Sequence, residues 1–130
     1  MLAVDTNVVV RYLARDHGSQ TERAEELIRR EQLLIPKTVL LEAEWVLRYS
    51  YGFDRRSIEA ALRGLVGLPN IHLEDAEAVA QALDWFRVGI DFADALHLAS
   101  SAGTDGFATF DRRLAATAQR VGAHGVRQLR

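Results

Sequence analysis

Several acidic residues stand at positions where carboxylates can be brought together for chemistry. Asp5 directly follows the apolar run Leu2-Ala3-Val4 and precedes Thr6-Asn7, and Asp111 comes two residues after Thr109, at the end of Phe107-Ala108-Thr109. Asp91 and Asp94 are three apart at the head of a helical pattern, and Glu42 and Glu44 interrupt the apolar stretch from Val39 to Leu47. Taken singly, each aspartate is explained as a helix cap, which Asp, Thr and Asn all provide. Asp91 with Asp94 has the spacing of a capping box. Taken jointly they say more. Ligands gather at the carboxyl ends of strands in open parallel sheets, where the first strand is usually central. Carboxylates crowded there repel one another, and a hard divalent cation keeps such a cluster charged. Oxygen-only ligation suits Mg²⁺ or Mn²⁺.

Periodicity does not choose between the two glutamates. At about 100° per residue the apolar face of that helix centres near Ala43, and Glu42 and Glu44 flank it on opposite sides. The remaining acids, Glu22, Glu25, Glu26, Glu31, Glu59 and Glu77 among them, sit in polar positions with arginines three or four residues away and read as surface pairs. His72 and His97 lack the spacing of a zinc site and read as core-edge or surface residues.

The elements that must position these acids alternate short apolar runs with longer helical patterns, the signature of β-α units around a parallel sheet. Strands are predicted at Leu2-Ala3-Val4, Leu33-Leu34-Ile35, Ile71-His72-Leu73, Phe107-Ala108-Thr109 and from Val126 to Leu129. Pro36 holds Ile35 extended. Helices are predicted from Val8 to Leu13, Thr21 to Arg30 with Thr21 as N-cap, Thr38 to Tyr49, Arg55 to Val66, Ala76 to Phe86, Asp91 to Ala102 and Asp111 to Val121. The fold class is α/β and helix-rich.

The 130 residues, 48% hydrophobic and 26% charged, predict a single globular domain over 1–130. The absence of cysteine excludes a disulfide scaffold, a thiolate metal site and a cysteine nucleophile. No apolar run approaches the ~18 residues of a membrane span, and Asp5 interrupts the opening, so a soluble, cytoplasmic protein without an export signal is expected. A net charge of −2 argues against a broad basic surface for nucleic acid and leaves phosphate recognition to local arginines. Lys37 is the only lysine. The aromatics Trp45, Tyr49, Tyr51 and Phe53 cluster around one helix end, a composition seen in interface cores as well as in protein cores.

The sequence resembles the PIN-domain ribonucleases, in particular the VapC-type toxins of toxin–antitoxin pairs. The resemblance covers essentially the whole chain. It rests on Asp5-Thr6-Asn7 after the first strand, Val39-Leu40-Leu41-Glu42 followed by Trp45-Val46-Leu47, Asp91-Phe92-Ala93-Asp94-Ala95-Leu96, and Thr109-Phe110-Asp111, in that order. It implies a parallel-sheet α/β/α sandwich with Asp5, Glu42, Asp94 and Asp111 as a metal-binding, catalytic quartet. By motif match it selects Glu42 over Glu44, so Glu44→Gln is expected to be close to neutral. Asp91 is implied as a neighbour of the site, and Asn7 and Thr109 as residues that orient Asp5 and the fourth acid.

The implied activity is hydrolysis of an RNA phosphodiester with Mg²⁺, or Mn²⁺, leaving a 5′-phosphate and a 3′-hydroxyl. Arg11 and Arg15, one helical turn apart, and Arg112 and Arg113 beside Asp111 are candidates for gripping phosphate. The resemblance further implies a homodimer and a small antitoxin partner. A phosphatase of the haloacid dehalogenase type also places an aspartate after its first strand, but wants a second aspartate where Asn7 stands and a lysine late in the chain. A phosphoacceptor receiver domain fails for want of an acidic pair and a late lysine. A binding module with a decayed site is the non-enzymatic alternative, and the intact set of four acids weighs against it.

Overall fold

Asp5, Asp91 and Asp111 each stand directly before a helix. The structure, a computed structural model, describes residues 1–16, 18–123 and 125–130. The chain forms two compact units, residues 1–76 and 77–130.

The first unit holds strands β1 (Leu2–Ala3), β2 (Leu33–Ile35) and β3 (Ile71–Leu73) and helices α1 (Thr6–Ala14), α2 (Ser19–Arg30), α3 (Lys37–Tyr49) and α4 (Arg55–Val66). The strands are parallel in the order β1-β2-β3, with Ala3 beside Leu34 and Leu34 beside His72. Within this unit β1 ends the order and β2 is its middle member. Leu33 and Ile35, on one face of β2, are fully buried, Leu34 on the other face is partly covered, and Leu2 is exposed. Because β1 and β2 run parallel and in register, their carboxyl ends share one edge, from which α1 and α3 both depart. α1 packs against α2 and α3.

Helix starts follow local chemistry. Asp5 caps α1, its Oδ1 accepting the Val8 N–H at 3.2 Å. Pro36 precedes α3, so that helix begins at Lys37 rather than at Thr38. Thr21 is not the N-cap of α2. Gly18 takes that position, and Thr21 is buried in the first turn with its hydroxyl donating to Asp16 at 2.8 Å. α1 stops at Ala14, and Arg15 turns left-handed at φ 50°. Arg11 and Arg15 therefore do not form the one-turn helical pair suggested by their spacing.

The second unit contains almost all of α5 (Ala76–Arg87), which the chain enters from the first, then α6 (Phe92–Ser100), β4 (Phe107–Thr109), α7 (Arg112–Arg120) and β5 (Val126–Gln128). Phe86 of α5 meets Phe92 of α6 edge to face, ring centroids 5.4 Å apart. β4 and β5 are parallel, and α7 connects them and packs on β5. Their ladder opens where Gly106 meets Gly125: the Phe107 N–H donates to the Gly125 carbonyl at 2.8 Å, and a Cβ on Gly106 would lie 2.4 Å from that oxygen. At φ 157° Gly106 also occupies backbone territory that suits glycine.

Candidate functional site

In the first unit, the shared edge of β1 and β2 brings α1 and α3 together at their opening turns. Thr6, the first residue of α1, donates its hydroxyl to Oε1 of Glu42 at 2.5 Å. Glu42 is exposed, as is Asp5. Glu44 faces the other way: it is 1% exposed and pairs with Arg48, whose Nε lies 2.9 Å from Oε2 while Nη2 donates to Oε1 at 3.1 Å. Periodicity left the two glutamates equivalent, and packing separates them. The expected near-neutrality of Glu44→Gln concerns cleavage; for stability the buried ion pair predicts a cost, because removing one partner strands the other.

Asn7 is exposed and has no side-chain hydrogen bond to Asp5 among the described residues. It lines, with Arg11, Gln20 and Arg23, a cleft of about 280 Å³ between α1 and α2. Thr6 is the residue that the sequence left unmarked; its signal was its place directly after Asp5. Arg11 is occupied by Asp16 at 2.8 Å, Gln20 at 3.0 Å and the Tyr51 hydroxyl at 3.0 Å. Arg15 lies over the Tyr12 ring. Lys37, the residue a phosphatase would need, lies 3.4 Å from Asp75.

In the second unit the charges of Asp91 and Asp111 act on Asp94. Asp91 caps α6, accepting the Asp94 N–H at 3.4 Å, and Asp111 caps α7, accepting the Leu114 N–H at 3.0 Å. Asp94, half-buried in the first turn of α6, has its carboxyl pushed above the usual aspartate value. Burial is the largest cause; the negative charges of Asp91 and then Asp111 add to it, and His97 partly opposes it. Thr109 fixes the approach to Asp111, its hydroxyl oxygen accepting the Asp111 N–H at 3.0 Å. Arg112 and Arg113 follow, both exposed in the first turn of α7. Cations there oppose the helix dipole, so their placement is not explained by helix stability. Arg112 borders a groove of about 460 Å³ with Gln119 and Gln128.

Among the described residues no three histidine, aspartate or glutamate side chains enclose a metal ion. The donors that do approach one another are all oxygens and mutually repulsive, a set that suits a hard divalent cation in kind.

Residues 2–120 match the PIN domain family. The chain belongs to the PIN-domain family. The PIN domain is a nuclease fold whose members generally use divalent metal ions, and a helix-rich α/β chain with parallel strands conforms to it. No curated protein matches this PIN domain. Among solved structures it is similar to the sarcin–ricin-loop-cleaving toxin VapC20 of Mycobacterium tuberculosis, at 20% identity and a TM-score of 0.46, over 98% of this chain and 99% of the other. No helix among the described residues of this PIN domain is long and apolar enough to cross a membrane.

Proposed function

We propose that the chain is a metal-dependent endoribonuclease, the toxin of a toxin–antitoxin pair, working in the cytoplasm as a single domain over residues 1–130. The observation that carries this is Asp94: a half-buried carboxylate crowded by the charges of Asp91 and Asp111 is kept at a cost to folding, as functional carboxylates are. Asp5, Glu42, Asp94 and Asp111 would hold Mg²⁺ or Mn²⁺, with Asp91 beside them. Such an ion, when bound, makes hydroxide available from water near neutral pH and neutralises charge on the phosphodiester oxygens.

The chain's own residues supply placement. Thr6 fixes one carboxylate oxygen of Glu42, and Thr109 fixes the turn that carries Asp111. With Arg11 engaged by Asp16 and Tyr51, phosphate grip falls mainly to Arg112 and Arg113. Without metal the acids repel RNA. The partners are an RNA substrate, a cognate antitoxin and, in a homodimer, a second copy.

The test is cleavage of RNA with Mg²⁺ and with chelator, beside folded Asp5→Asn and Asp94→Asn proteins. Cleavage only with metal, lost in both variants, is the expected result. A fully active Asp5→Asn protein removes the assignment.

A further inference from the structure

Helix α3 presents a second feature on the face that carries Glu42. At about 3.6 residues per turn, Glu42, Trp45 and Tyr49 fall at i, i+3 and i+7 and form one stripe. All three are exposed, Trp45 by 55% and Tyr49 by 63%, while Leu40, Ala43, Glu44 and Leu47 are buried. The rings lie side by side, centroids 5.1 Å apart and tilted by 49°. Arg48 sits 4.8 Å over the Tyr49 ring and is anchored from below by the buried Glu44. The aromatic pair is thus held in place before any ligand arrives, which lowers the ordering cost of binding.

We propose that Trp45 and Tyr49 form a stacking platform for unpaired bases of the substrate RNA, in line along α3 with Glu42; this rests on the ribonuclease function above. With a rise of about 1.5 Å per residue, Trp45 is ~4.5 Å and Tyr49 ~10 Å along the axis from Glu42. That is within about three nucleotides of a stacked strand, at ~3.4 Å each. Every base offers a π-face, so stacking gives affinity without a required sequence, and the adjacent guanidinium adds to it. A chain with net charge −2 needs such a source, because charge alone does not hold a polyanion to it. A second copy of the chain is a poorer occupant. The two rings expose on the order of 300 Å², given the surface an aromatic side chain can bury, against ~800 Å² per partner in a stable interface. The stripe also runs directly into the Glu42 carboxylate, and charged residues are depleted from interface cores.

The test compares steady-state cleavage of an unstructured single-stranded RNA by the wild type and by the Trp45→Ala/Tyr49→Ala double variant. Intrinsic emission of Trp45 is followed in parallel in a Trp85→Phe background, where it is the sole tryptophan. Expected are a KM raised roughly tenfold to a hundredfold, by the usual worth of a stacked base, with kcat nearly unchanged. RNA should also quench Trp45, and Trp45→Phe/Tyr49→Phe should restore KM. Normal cleavage with unchanged KM and no quenching overturns the platform and leaves the nuclease standing. A wild type that neither cuts RNA nor shows quenching overturns both. A dimer that the double variant converts to monomer assigns the rings to a second copy and also overturns the platform. Should the alanine pair not fold, quenching in the Trp85→Phe protein decides.

Discussion

The hydroxyl of Thr6 and the carboxylate of Glu42, 36 positions apart in the chain, share a hydrogen bond of 2.5 Å. It ties the residue after Asp5 to the glutamate of α3 and limits the rotamers that Glu42 can adopt. Thr6→Val keeps the shape and removes the donor. Partners that orient metal ligands are commonly worth 10- to 100-fold in metal affinity or activity. Metal-dependent cleavage should fall by about that factor in Thr6→Val, with the melting temperature nearly unchanged and activity recovered in Thr6→Ser. Undiminished cleavage by Thr6→Val would mean that Glu42 needs no such restraint.

Asp94 links function to stability with a definite sign. Its carboxyl lies above the ordinary 3.8 in the folded chain, from burial first and then from Asp91 and Asp111. Between 3.8 and the raised value the folded state holds the proton more tightly than the unfolded one, so metal-free stability falls as pH rises through that window. Divalent metal should reverse the loss, adding about 2.7 kcal/mol at a hundred times its dissociation constant. Asp94→Asn should melt higher than the wild type without metal and no longer respond to Mg²⁺. Thermal melts with Mg²⁺ or chelator at several pH values read both effects, and a wild type indifferent to Mg²⁺ would contradict them.

Glu44→Gln should lower stability more than activity. Glu44 is buried against Arg48, and breaking such a pair costs about 3–5 kcal/mol when both partners are buried. Arg48 retains 31% of its side-chain surface in water, so about 2 kcal/mol is expected, read from a urea midpoint. Cleavage per folded molecule should stay near wild type, whereas Glu42→Gln should show the converse.

Gly106→Ala should destabilise the protein. A methyl group there meets the Gly125 carbonyl oxygen at 2.4 Å, so the backbone must open the first rung of the β4–β5 ladder. Strain of this kind costs about 1–3 kcal/mol. A neighbouring control, Gly103→Ala, finds open space but a left-handed φ of 86° and should cost less. Equal melting temperatures for the two variants would show that the clash is relieved cheaply.

Most of the secondary structure was legible because three of the aspartates double as caps. Asp5, Asp91 and Asp111 start α1, α6 and α7 as their spacing suggested, and all five strands lie where short apolar runs stood. Three things were not legible. Glu42 and Glu44 are symmetric about the apolar face, and only tertiary packing shows that Arg48 draws Glu44 inward. Strand order rests on pairing between runs far apart in the chain, which a two-residue β1 does not advertise. Arg11 looked free for phosphate because Asp16 and Tyr51, which hold it, lie 5 and 40 positions away. For the site, local spacing placed the aspartates at helix starts, and the choice of Glu42 within its helix came from motif likeness.

Lys37 is the chain's one lysine, at the opening of α3 and 3.4 Å from Asp75. Apart from the amino terminus, an amine-reactive dye therefore has a single address. A fluorophore placed there sits at the root of the helix that bears Glu42, Trp45 and Tyr49, and it leaves every aspartate untouched. Lysine-directed acylation likewise has only one side chain to modify, at a spot where neutralising the amine would remove its ion pair with Asp75.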